Sequence, residues 1–120
     1  MENITDKNYG EYYVILDKDD LLRLGNEPER QKICLIQAQN WFNDVLRWKG
    51  KVYLRDVYKR LQIPFNQMSD IYHVGWRYDP EDDSIDNYVD FGLFDMDDNG
   101  FINGNWDKVI LNFNADGIID

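Results

Sequence analysis

The chain has 120 residues, of which 43 % are hydrophobic and 15 % aromatic, and a formal net charge of −10. That length suits one domain whose core needs neither disulfide nor metal, and so much aromatic mass excludes a disordered acidic tail. The single cysteine, Cys34, excludes an internal disulfide and points to a reducing compartment. No run approaches the roughly 18 apolar residues of a membrane span, and residues 1–9 hold no apolar stretch of the signal-peptide kind.

In chain order, Tyr12–Leu16 is β-branched and aromatic and predicts a short strand. Asp17 or Asp19 caps a brief helical turn through Leu21, Leu22 and Leu24, closed by Gly25 and Asn26. The clearest element follows. Asn26 as N-cap, Pro28 in the first turn, and Glu27 and Glu29 at the positive end of the dipole open a helix. Cys34, Ala38, Trp41, Val45 and Trp48 recur along it at steps of four and three, Leu35, Phe42 and Leu46 widen the stripe, and Gly50 stops it. Cys34 lies on that stripe and reads as a packed core thiol, not a nucleophile. A second helix has Leu54, Val57, Tyr58 and Leu61 on one face and Arg55, Lys59 and Arg60 off it, and ends before Pro64. Residues 66–71 add one more turn.

The pattern then changes to strands. Residues 72–78 contain Val74, Gly75 and Trp76, and Asp79-Pro80 begins a loop. Residues 87–94 alternate Tyr88, Asp90 and Gly92 against Val89, Phe91 and Leu93, the period of a strand. Asn99-Gly100 and Asn103-Gly104 are hairpin-turn signals. A further strand covers 106–113, and Asp116-Gly117 turns into a terminal Ile118-Ile119 that could also pair with a second copy as a homo-oligomer. The economical architecture is α+β, with N-terminal helices packed on one face of a small three- to four-stranded antiparallel sheet. It forms a single domain over 1–120, with a strand-and-turn segment at 1–26, a helical part at 27–64 and a β part at 72–120.

Several ordered motifs carry a resemblance: YLRDVYKRLQIP at 53–64, VGWRYD at 74–79, DNYVDFG at 86–92, FING at 101–104 and ILNFNADG at 110–117. Over roughly residues 40–119 the chain resembles the soluble C-terminal region of a family of uncharacterised proteins from tailed phages and prophages of gut Firmicutes. The resemblance implies a phage or prophage accessory protein, found in the cytoplasm of the bacterial host or in the virion. It supplies no catalytic residues. Members of that family carry hydrophobic segments upstream; none lies in this chain, and no membrane role is expected of it.

Candidate chemistry is sparse. Asp95, Asp97 and Asn99, with Gly100 at the turn and the carbonyl of Phe101, reproduce the first half of a Ca²⁺ loop across residues 95–103. The twelfth position, where a bidentate carboxylate belongs, is Trp106. The competing reading is a hairpin tip with solvated acids, and no cofactor is expected. His73 has no elbow motif or nucleophile beside it, and one His with one Cys cannot make a zinc site. Residues 54–72 mimic a helix-turn-helix, but the second segment has no Lys or Arg before Arg77, so direct nucleic-acid binding is not expected.

The charge is bipolar. Residues 1–78 carry 12 basic and 11 acidic residues, whereas 79–120 carry one Lys and 12 acids. Arg47, Lys49, Lys51, Arg55, Lys59 and Arg60 form a basic shoulder against Asp56 alone. These observations lead to the expectation of a non-enzymatic accessory protein that binds a protein partner through an acidic strand-and-loop face. Asp79, Glu81, Asp82, Asp83, Asp86, Asp97 and Asp98 form that face. The partner would be basic or nucleic-acid-binding, as a host-defence inhibitor requires. The alternatives are a small-ligand or Ca²⁺-binding domain using residues 95–103, or a structural protein of the virion or its assembly.

Overall fold

The structure is a computed structural model that describes residues 12–65, 70–93 and 109–119. Strand β1 (Tyr12–Leu16) leads into helix α1 (Lys18–Leu22), where Asp17 and Asp20 form a reciprocal capping box. Helix α2 (Pro28–Lys49) runs for 22 residues. Its N-cap is Glu27 and not Asn26, with no side-chain cap bond, and Pro28 opens the first turn. Gly50 ends it in the left-handed conformation (φ 85°), donating its N–H to the Leu46 carbonyl. Strand β2 (Lys51–Tyr53) follows at once and runs into helix α3 (Leu54–Arg60). A 3₁₀ turn (Asp70–His73) enters β3 (Val74–Arg77), and the chain closes with β4 (Val109–Phe113) and β5 (Gly117–Ile118).

The α+β class stands, but the strands divide into two sheets. β1 pairs antiparallel with β4, Tyr12 opposite Phe113 and Leu16 opposite Val109. β2, β3 and β5 form a second antiparallel sheet in that order. The terminal residues therefore pair within the chain, Val74 with Ile118 and Gly75 with Gly117. β2 has no sequence signal of its own: three residues between two helices are too few to show a period.

Segment 87–93 departs most from expectation. Val89, Phe91 and Leu93 are inside and Tyr88 is exposed as the alternation expects, but the alternation breaks at Gly92, which is buried as well. The segment is not a regular strand, because Asn87 (φ 65°) and Gly92 (φ 71°) bend it at both ends. One edge bonds to β4 and its extension through Asn112 N–H to the Phe91 carbonyl (2.9 Å) and Asn114 N–H to the Asp90 carbonyl (3.2 Å). The other edge meets side chains of α2. Asn43 accepts from Val89 N–H (2.8 Å) and donates to the Val89 carbonyl (2.9 Å), while Gln39 accepts from Phe91 N–H (2.9 Å). Two helix amides thus stand where a neighbouring strand's backbone would.

The core centres on Phe113, with the rings of Phe91, Tyr58 and Trp76 packed around it at centroid distances of 5.4, 5.9 and 6.4 Å. Helix α2 contributes Leu35, Ala38, Phe42 and Leu46, and α3 contributes Leu54, Val57 and Tyr58. Burial of the Tyr58 phenol pushes its pKa above the ordinary value. Trp76 is fully buried, and its indole N–H donates to the Asn114 side chain (2.7 Å), which satisfies the one polar atom of a large apolar ring.

The β2–β3 approach demands glycine at position 75. A Cβ there would stand 2.2 Å from the Val52 carbonyl oxygen and 3.1 Å from the Tyr53 Cα, both backbone atoms that cannot step aside. Gly75→Ala should therefore cost at least about 3 kcal/mol, read as a loss of the urea midpoint with an unchanged slope. Asn43→Ala, which strips both backbone bonds from buried Val89, should cost about 2–4 kcal/mol. The exposed neighbour substitution Asn40→Ala should leave stability unchanged or slightly higher.

Candidate functional site

Helix α2 buries a narrower stripe than its sequence suggests. Leu35, Ala38, Phe42 and Leu46 face the core, which turns Cys34, Trp41, Val45 and Trp48 onto its flank. Cys34 is half-buried and not a core thiol. Trp41 is 49 % exposed and Trp48 79 % exposed. The physical reason lies after Gly50: the chain doubles back through β2 and α3, which pack against α2 and bury Val52, Leu54 and Val57.

The displaced tryptophans line a groove of about 710 Å³ between the second half of α2, β2 and α3. Phe42, Val45 and Val52 form its apolar wall, and Lys49, Lys51, Lys59 and Arg60 stand around it with the single carboxylate of Asp56. Three of these cations lie by aromatic rings: Lys49 Nζ is 5.5 Å from the Trp48 ring, Lys51 Nζ 5.3 Å from Tyr53, and the Arg60 guanidinium 5.2 Å from Trp41. Such contacts hold a cation beside the apolar surface without neutralising it. The remaining basic residues of this region are committed elsewhere. Arg47 pairs with Asp44 (2.9 Å), and Arg55 lies between the Tyr53 and Tyr72 rings and donates to the Tyr72 carbonyl.

The expected acidic face is described in part. Asp79, Glu81, Asp82, Asp83 and Asp86 share one loop after β3; Asp97 and Asp98, and the Ca²⁺-loop candidates Asp95, Asp97, Asn99 and Phe101, lie outside the described residues. The Asn87 side chain closes that loop, accepting from Asp79 N–H (2.7 Å) and donating to the Asp79 carbonyl (3.0 Å). Three of the carboxylates brace it. Asp79 accepts from Glu81 N–H, Asp82 from the Ser84 N–H (2.9 Å) and hydroxyl (2.6 Å), and Asp86 from the Asn114 amide (3.0 Å). The Ser84 bonds, with Arg77 nearby, hold the Asp82 carboxyl below the usual carboxylate range. Glu81 and Asp83 point to solvent as exposed residues.

The remaining candidates are ordinary. His73 is exposed at the end of the 3₁₀ turn, its ring edge-on to Tyr72 and its carbonyl bonded to Ile119 N–H. That turn enters β3 directly, so no recognition helix stands where a helix-turn-helix would need one among the described residues. Among the described residues no three of His, Cys, Asp or Glu come together as a metal site. No helix among them is long and apolar enough to cross a membrane.

The groove was missed by sequence reasoning, although its signal is present. Trp48-Lys49-Gly50-Lys51 puts an aromatic ring and two cations at a helix end, with Lys59 and Arg60 one short helix away. Fold and site together define a small α+β domain that presents an aromatic groove with a cationic rim and, elsewhere on its surface, a braced acidic loop. The model of a family of unknown function, DUF6353, matches residues 2–120, and the chain belongs to that family. No curated protein and no solved structure matches it.

One carboxylate of this region is held at a cost. Asp116 accepts from Arg77 N–H (2.7 Å), but desolvation outweighs that bond and raises its pKa. A carboxyl whose folded pKa lies above its unfolded value favours folding in its protonated form, and that contribution is lost as pH rises through the folded pKa. Asp116→Asn keeps the acceptor and removes the charge. It should raise the melting temperature at pH 7, and the gain should vanish below about pH 4, where both side chains are neutral.

Proposed function

We propose that the domain is a non-enzymatic binding module that engages a protein partner through the Trp41–Trp48 groove. The supporting observation is the exposure of two tryptophans on the flank of a well-packed helix, beside an apolar cleft of a size typical of ligand sites. Two large rings left in water forgo the free energy of their burial in the monomer, so their exposure favours a contact made in trans.

A second reading keeps the acidic loop as the contact surface, in a phage accessory protein that competes for a basic, nucleic-acid-binding cleft of a host protein. It is favoured by the ionised, hydrogen-bonded state of Asp82 and by the outward Glu81 and Asp83. The two readings separate in one affinity-capture experiment with wild type, Trp41→Ala/Trp48→Ala and Glu81→Lys/Asp83→Lys. All four substituted side chains are exposed, so the fold should persist in each variant. A stoichiometric partner lost by the tryptophan variant and retained by the loop variant supports the groove. The reverse pattern transfers the contact to the loop.

A further inference from the structure

We infer that the groove's occupant is an acidic protein segment carrying one bulky apolar anchor, with the anchor between Trp41 and Trp48 and flanking carboxylates on Lys49, Lys51, Lys59 and Arg60. This rests on the reading of the groove as a docking site and adds the chemistry of what docks. Among the described residues no carboxylate lies within salt-bridge distance of those four cations. Arg23, Arg47 and Arg77, by contrast, each have an acidic partner, whereas the groove gathers four cations without one around a single cleft. Cations placed around an apolar cleft, three of them beside rings, select a ligand that is apolar at its centre and anionic at its flanks.

Two features separate this occupant from a nucleic acid. Besides the rings of Trp41, Trp48 and Tyr53, the groove has an apolar wall of Phe42, Val45 and Val52, which suits an apolar side chain. The chain's net charge of −10 also repels a long polyanion. A short acidic segment responds mainly to charges within about 10 Å, where the groove's cations outnumber Asp56.

The test uses the full chain labelled with ¹⁵N and reads the indole N–H signals of Trp41 and Trp48, with buried Trp76 as the internal control. The probes are a peptide of about twelve residues with a central Trp flanked by Asp and Glu, its counterpart with Lys for every acid, its counterpart with Ala for the Trp, and an oligouridylate of similar length. The acidic anchored peptide should shift Trp41 and Trp48 saturably and leave Trp76 in place. Its affinity should fall about tenfold or more on loss of the anchor and in Lys59→Glu/Arg60→Glu, and it should weaken as salt rises from about 50 to about 300 mM. Equal binding of the Lys counterpart would overturn the acidic chemistry while leaving the groove a docking site. If no peptide moves either indole, the docking reading falls as well. Tighter binding of the oligouridylate would assign the groove to nucleic acid. Concentration-dependent shifts of the same indoles in the protein alone, abolished by Glu81→Lys/Asp83→Lys, would assign it to a second copy; each of these last two results overturns the proposal.

Discussion

Two amide side chains on α2 hold the molecule together. Gln39 and Asn43 bond the backbone of Val89 and Phe91 as a strand would, and the opposite edge of the same segment bonds to β4. A buried peptide group without a partner costs about 1–3 kcal/mol, so the irregular segment can be interior only because these amides are at the right turn of the helix. Their position fixes the rotation of α2 about its axis. With Gln39 and Asn43 turned to the segment, Leu35, Phe42 and Leu46 must face the core, and Trp41 and Trp48 are carried outward.

The second hub is Asn114. Its oxygen accepts from the Trp76 indole and Asp90 N–H, both at 2.7 Å, and its amide donates to Asp86 and the Tyr88 carbonyl, both at 3.0 Å. One side chain thereby links the three-stranded sheet, the irregular segment and the acidic loop. The loop's carboxylates are in good part structural: Asp79 and Asp82 accept from donors two residues away, and Asp86 accepts from Asn114. A high density of aspartate reads as a charged surface, yet an Asx-type bond from a carboxylate to a nearby N–H is also the simplest way to brace a loop without regular pairing.

Charge is distributed in the same economical manner. Arg23 and Arg47 are paired at i,i+3 with Asp20 and Asp44 on exposed helix surfaces, where such pairs contribute little. Those brought together by the fold, from the end of α2, from β2 and from α3, lie around an apolar groove instead. The basic shoulder of residues 47–60 is legible in the sequence, but its placement around an apolar groove is made by the tertiary fold.

Local signals determined the elements: the Asp17 capping box, Pro28 and Gly50 at the ends of α2, the apolar face of α3 and the β-branched strands β1 and β4 are all stated by residues within about four positions of one another. The period of 87–93 correctly predicted which side chains are buried but not the backbone's partner, which is a helix amide 46 residues away. The helical stripe of α2 was legible only as a broad band, because two overlapping apolar rows satisfy the same 3.6-residue period and the larger aromatic rings favour the outer row. Which row turns inward is decided by contacts from β2, α3 and the irregular segment, all remote in sequence from the middle of the helix. The groove is a consequence of that choice: neighbouring residues supply its rings and cations, and only the tertiary contacts assemble them into a cleft.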